Sequence, residues 1–258
     1  MPALYTLLAM VFLPALLCGQ EYPWTPPQTS ADPCKVPEKC EAPLVGEARD
    51  YGAEAAAAAE ASPRSTPALQ GCTDSQKKNI LRALNGDGKK KFNGAKARVL
   101  TAKKVLDATS LTPELQRANQ GSKAIFGAGL EITGVTITET LGSMNKALGS
   151  PALRCAKPAD DEYKYCEARP AFIVIGQTVV WLCPDFFKSS DESRARTLVH
   201  ESSHLSGVGE SQGESYCMIF SCSESCSDSG FLAADNWASF VNCAAGEASD
   251  EADVITAD

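Results

Sequence analysis

The chain has 258 residues, 44% hydrophobic and 22% charged, with a formal net charge of −8. That balance is ordinary for a folded globular protein and excludes collagen-like, coiled-coil and fully disordered chains. The acidity sits in the flanks: residues 72–243 carry 20 Lys+Arg against 19 Asp+Glu. A nearly neutral centre argues against nucleic acid as a partner.

In chain order, residues 4–17 form an apolar stretch of signal-peptide length, too short for a comfortable membrane span. Residues 1–19 therefore read as a secretory signal, so the mature protein is expected outside the cell with no stable membrane association. An anchored or intracellular chain with free cysteines is the weaker alternative. The chain has 11 cysteines, and ten remain after Cys18 is removed with the signal. An even number in a secreted chain reads as disulfides. Cys34 and Cys40 lie in the acidic flank. Cys155 and Cys166 bracket a polar loop and are expected to pair. Cys217, Cys222 and Cys226 read as disulfide partners rather than metal thiolates. No Asn-x-Ser/Thr sequon is present, so N-glycosylation is not expected.

Residues 20–71 are acidic and rich in Pro and Ala, with P-W-T-P-P near the start and E-A-A-A-A-A-E-A at 54–61. Without apolar periodicity they read as a linker or propeptide. A helical pattern starts at Ser75, with Ile80, Leu81 and Leu84 on one face. Gly86-Asp87-Gly88 marks a turn. Val99, Leu100, Val105 and Leu106 carry the next helix. Lys89, Lys90, Lys91, Lys96, Arg98, Lys103 and Lys104 read as a solvated face of that segment rather than a polyanion site. Residues 138–148 form another helix.

The period then changes. Residues 172–175 and 178–182 are β-rich runs separated by Gly176-Gln177, a hairpin signal. The second run has two readings, a core strand or an edge to which an extended peptide adds. Ser189 and Glu192 have capping-box spacing, which predicts a helix over 190–205 ending at Ser206-Gly207. A further helical pattern covers 233–241. Residues 244–258 read as an acidic disordered tail. No heptad or repeat calls for assembly, so a monomer is expected.

The helix over 190–205 carries Val199-His200-Glu201-Ser202-Ser203-His204. Histidines at i and i+4 stand one turn apart on one face, so both can reach one Zn²⁺. Glu201 can then take the proton of a metal-activated water as it attacks a peptide carbonyl. This is the H-E-x-x-H arrangement of metalloproteases. The chain's two histidines are both here. A catalytic zinc needs a third protein ligand, and Glu210, Glu214 and Asp235 are the candidates downstream.

The stretch L-C-P-D-F-F…S-R-A-R-T-L-V-H-E-S-S-H-L, with the later A-A-D-N-W-A-S-F, resembles the deuterolysin-type aspzincins, in particular their lysine-specific metallo-endopeptidase branch. The resemblance covers residues 75–243 and is strong from Phe172 onward. It implies an α+β, zincin-like, disulfide-stabilised domain over 72–243, with N-terminal helices, a small sheet or hairpin and the H-E-x-x-H helix. It implies a secreted zinc endopeptidase with one catalytic ion, acting on protein or peptide substrates. His200, Glu201 and His204 map onto the family motif directly. The family's third ligand is an Asp in G-T-x-D-x-x-Y-G, where this chain reads G-V-G-E-S-Q-G-E-S-Y-C. Glu214 is the nearest acid, one position off and one methylene longer. Tyr216 would be the oxyanion-stabilising tyrosine. Asp235 matches the Asp of the second block and is expected to bind substrate, or to support a zinc ligand. Ala238 stands where a second acid is expected. The altered third-ligand block keeps a second class open, a catalytically degenerate binding protein on a zincin scaffold.

Overall fold

The computed structural model describes residues 67–88, 93–167, 169–174, 177–207, 222, 225 and 230–246. The signal and linker readings for residues 1–66 lie outside the described residues, as do Cys34, Cys40, Lys89–Lys91, Gly176, Glu210, Glu214, Tyr216, Cys217, Cys226 and residues 247–258 of the acidic tail, whose first residues, Ala244 and Ala245, are instead the end of a helix.

The elements run β1 (Leu69–Gln70), α1 (Asp74–Asn85), α2 (Ala95–Leu106), α3 (Pro113–Phe126), α4 (Leu130–Ala147), β2 (Ala152–Cys155), β3 (Ala171–Ile173), β4 (Val179–Leu182), α5 (Pro184–Lys188), α6 (Asp191–Leu205) and α7 (Ala234–Ala245). Short 3-10 turns cover Asp161–Cys166 and Gly230–Leu232. The class is α+β, helices packed on a small mixed sheet. No helix among the described residues is long and apolar enough to cross a membrane.

Local chemistry sets the helix ends. Thr73 accepts the Gln76 N–H while Gln76 Oε1 accepts the Thr73 N–H, closing a capping box at α1. Gly86 then ends the helix at φ 84°, which L side chains rarely adopt. The predicted turn at 86–88 stands. The predicted helix at 138–148 is the second half of α4, which starts eight residues earlier at Leu130. α3 has no counterpart in the sequence reading. Its buried residues are Ala118, Gly121, Ser122 and Ile125, so small side chains face the core. A Cβ on Gly121 would lie 2.8 Å from Cys243 Sγ, and glycine there lets α3 approach α7.

The sheet order is β1-β2-β4-β3. β1, β2 and β4 are parallel, and β3 returns antiparallel on β4 with Phe172 opposite Trp181. The hairpin reading stands: Gln177 N–H donates to Val174 O across its turn. The edge role read for 178–182 does not, because β4 has β2 on one side and β3 on the other. β3 is the edge beside it, and it packs against α6.

The predicted Cys155–Cys166 bridge is corrected. Cys155 closes on Cys72, and Cys166 closes on Cys183. A third bridge joins Cys222 to Cys243 on α7. Cys72 follows β1 and Cys155 ends β2, so neighbouring parallel strands bring them together. Cys183 follows β4, beside the 3-10 turn that carries Cys166. Sheet order therefore overrides closeness in sequence.

The main core lies between the helices and one sheet face, around Ile80, Val99, Ile137, Leu141, Leu182, Leu198, Trp237 and Phe240. α7 is buried almost all round, including Asp235, Asn236, Ser239 and Asn242. A helix apolar on one stripe only would sit at the surface. Here the polar residues enter the core as well, and partners are required for them.

Candidate metal centre

Ser190 caps α6, its Oγ accepting the Ser193 N–H at 3.1 Å. The capping box expected from Ser189 and Glu192 is corrected to a side-chain cap from Ser190, one residue later. Ser189 instead closes α5, its hydroxyl donating to Phe186 O. Glu192 is drawn elsewhere, to Arg98 on α2 and to Arg196 one turn along α6. Asp191 pairs with Arg82 of α1 at 2.6 Å and with Arg194. The helix ends at Ser206 and Gly207, the latter at φ 80°, as the sequence predicts.

Arg98 is not on a solvated face. It is 1% exposed. Its Nη1 donates to Glu192 Oε1 at 2.8 Å and its Nη2 to Glu192 Oε2 at 2.5 Å. Nη1 also reaches Asn242 Oδ1 on α7 at 3.1 Å, and Nε donates to Asn93 O at 2.8 Å. Burial raises the Glu192 carboxyl, but the hydrogen bonds and charges of Arg98 and Arg196 outweigh it and hold the group below its usual range. A carboxylate with a depressed folded pKa contributes stability above its unfolded pKa and loses it as pH falls through the folded one. The wild type should therefore be more stable than Glu192→Gln at pH 6. That gap should close as pH drops below about 4.5, measured by urea unfolding at a series of pH values.

About two turns beyond that anchor, His200 and His204 meet. Their Nε2 atoms are 3.2 Å apart and the rings stand at 75°. His200 Nδ1 lies 2.8 Å from Asp235 Oδ1 on α7, with both side chains largely buried. If Nδ1 holds the proton toward that carboxylate, Nε2 keeps its lone pair. Glu201, next to His200, is 4% exposed. Ser202 and Ser203, both buried, donate to the carbonyls of Val199 and His200 at 2.7 Å. Such bonds to the preceding turn let serine enter a helix interior without an orphaned hydroxyl.

Two nitrogens at this separation fit two corners of a zinc tetrahedron, whose edge is about 3.3–3.4 Å for Zn–N bonds of about 2.0–2.1 Å. Among the described residues no group of three or more His, Cys, Asp or Glu is arranged to hold a metal. Glu210 and Glu214 lie outside them. Asp235 lies against the far nitrogen of His200, away from the Nε2 pair. The structure thus brings together His200, His204 and Asp235, with Glu201 on the same helix. Sequence reading missed Arg98, whose only signal was an arginine in an otherwise lysine-rich stretch, at a position in phase with the buried Ala95, Val99 and Ala102.

No family model matches the chain, and no curated protein does. Among solved structures, a zinc peptidase from Grifola frondosa is similar at 22% identity with a TM-score of 0.46, over 66% of this chain and 96% of that one. The functional reading accordingly stands on the residues described above.

Proposed function

We propose that the chain is a secreted zinc-dependent endopeptidase, with His200 and His204 as metal ligands. The observation that carries this reading is the pair of Nε2 atoms at 3.2 Å on one helix, with one ring held from behind by Asp235. A carboxylate behind a metal-binding histidine fixes its tautomer and raises its basicity. That favours the orienting role for Asp235 over direct substrate contact.

Zinc bound there would supply a Lewis acid and lower the pKa of water to about 7. Glu201 is the general base, accepting the proton of the attacking water and returning it to the leaving amine. Glu214 is proposed as the third ligand and Tyr216 as the oxyanion donor, both on sequence alone. An extended peptide substrate has the outer side of β3 for backbone pairing, since among the described residues no strand occupies it. Three disulfides within the described residues support an oxidising compartment, and so secretion. A monomer acting on protein or peptide chains, without nucleic acid, completes the proposal.

The test is cleavage of a diverse peptide library by the secreted protein, read by mass spectrometry. Cleavage should vanish on chelation and return with one equivalent of Zn²⁺. A folded, zinc-loaded protein that cuts no peptide would favour the degenerate binding scaffold instead.

A further inference from the structure

We propose that Arg98 is a positioning residue for the histidine pair, acting from α2 through the register of α6 against α7. The inference rests on the metal-site reading above.

α6 and α7 are tied at two levels. At one, His200 meets Asp235; at the other, Arg98 joins Glu192 to Asn242. From Glu192 to His200 is eight residues, about 12 Å of helix, and from Asp235 to Asn242 is seven, about 10.5 Å. The helices therefore run antiparallel with both ties in step. Between the ties the two packed helices bury apolar residues in one core cluster, Ala195, Leu198 and Val199 on α6 and Ala238 and Val241 on α7. Apolar contact is non-directional and tolerates small slides. The forked pair with Glu192 fixes the guanidinium against α6, because both N–H···O bonds must stay aligned, and from that fixed position Nη1 also donates to Asn242 Oδ1 of α7, a directional bond that a slide would break. A slide of α7 would carry Asp235 away from His200 Nδ1, and so turn the ring whose Nε2 faces His204.

Stability alone does not account for Arg98. Burying a guanidinium strips it of water at a large cost, and apolar replacements of buried ion pairs are often neutral or stabilising. What the fork and the Asn242 bond add together is a fixed geometry between three helices, two of which carry the site.

The experiment uses the full chain. Zn²⁺ affinity is measured by competition with a chelating dye, and the Co²⁺-substituted protein is read by visible absorption. Folding is checked by near-UV circular dichroism. The wild type should bind one equivalent, lost in His204→Ala. Arg98→Met should weaken Zn²⁺ binding at least about tenfold, the loss typical of removing an outer-shell partner, and should shift the Co²⁺ bands. Arg98→Lys keeps the buried charge, and with it the fold, but not the fork; it should show a smaller loss and the same band shift. A folded Arg98→Met or Arg98→Lys with wild-type affinity and spectrum overturns the proposal. Failure of the wild type to bind Zn²⁺, or binding that survives His204→Ala, overturns the metal-site reading, and the role of Arg98 falls with it.

Discussion

Glu201→Gln is expected to lower the rate of peptide hydrolysis by about 10²–10⁴-fold, the contribution of a positioned general base. Zinc should remain bound, because the substitution leaves both histidines and Asp235 in place. Residues i and i+1 on a helix do not share a face, so Glu201 stands beside the histidine pair rather than between its nitrogens. Glutamine has the same shape but cannot accept a proton at neutral pH. The loss should fall on kcat with KM little changed, since the carboxylate acts as the bond breaks rather than on substrate binding. Glu201→Asp should lie between. It keeps the base but withdraws it by a methylene, and a misplacement of about 1 Å can cost about 10²-fold. Near-UV circular dichroism and zinc content of each variant separate lost chemistry from lost structure. A zinc-loaded Glu201→Gln protein with full turnover would remove Glu201 from the mechanism.

What was legible in the sequence follows from what is local. Two histidines four residues apart share a helix face whatever the rest of the chain does. The hairpin of β3 and β4 was equally local, as were the glycine turn at 86–88 and the helix end at Ser206-Gly207. The features that were not legible depend on contacts far apart in sequence. Glu192 looked like part of a capping box because its spacing from Ser189 fits one. It is instead held by Arg98, 94 residues away. Arg98 read as one more cation on a wet face, although it is among the most buried of the described residues. α3 was invisible to hydrophobic periodicity because three of its four fully buried residues, Ala118, Gly121 and Ser122, are small, with Ile125 the fourth. Thr112, Pro113 and Gly127 were available as start and stop signals, a side-chain cap with proline in the first turn and a left-handed glycine at the end. Asp235 could be placed on a helix from the sequence, but its contact with His200 depends on how two helices pack.

Removing the Cys72–Cys155 bridge should produce the largest loss of stability, about 4.5 kcal/mol in the chain-entropy picture for a loop of this length. The bridge spans 83 residues and closes over all four N-terminal helices, whereas Cys166–Cys183 spans 17. The two should therefore differ by about 1.4 kcal/mol, since closure entropy grows with the logarithm of loop length. Local structure points the same way. β1 is two residues long, and it pairs with β2 only through Leu69 opposite Leu153 and Gln70 opposite Arg154. So short a strand is not stable without further anchoring. Cys72 supplies it, one residue after Gly71 turns the chain at φ 68° and one before Thr73 caps α1. Domains of this kind are stable by about 5–15 kcal/mol in total. Cys72→Ser/Cys155→Ser should thus sit near the edge of folding, with a urea midpoint well below that of Cys166→Ser/Cys183→Ser and slopes little changed. Equal losses in the two double variants would mean that closing the long loop is not the main source of the stabilisation. The anchoring of β1 and of the α1 cap would then carry the effect, and Leu69→Ala should reproduce part of it with both bridges intact.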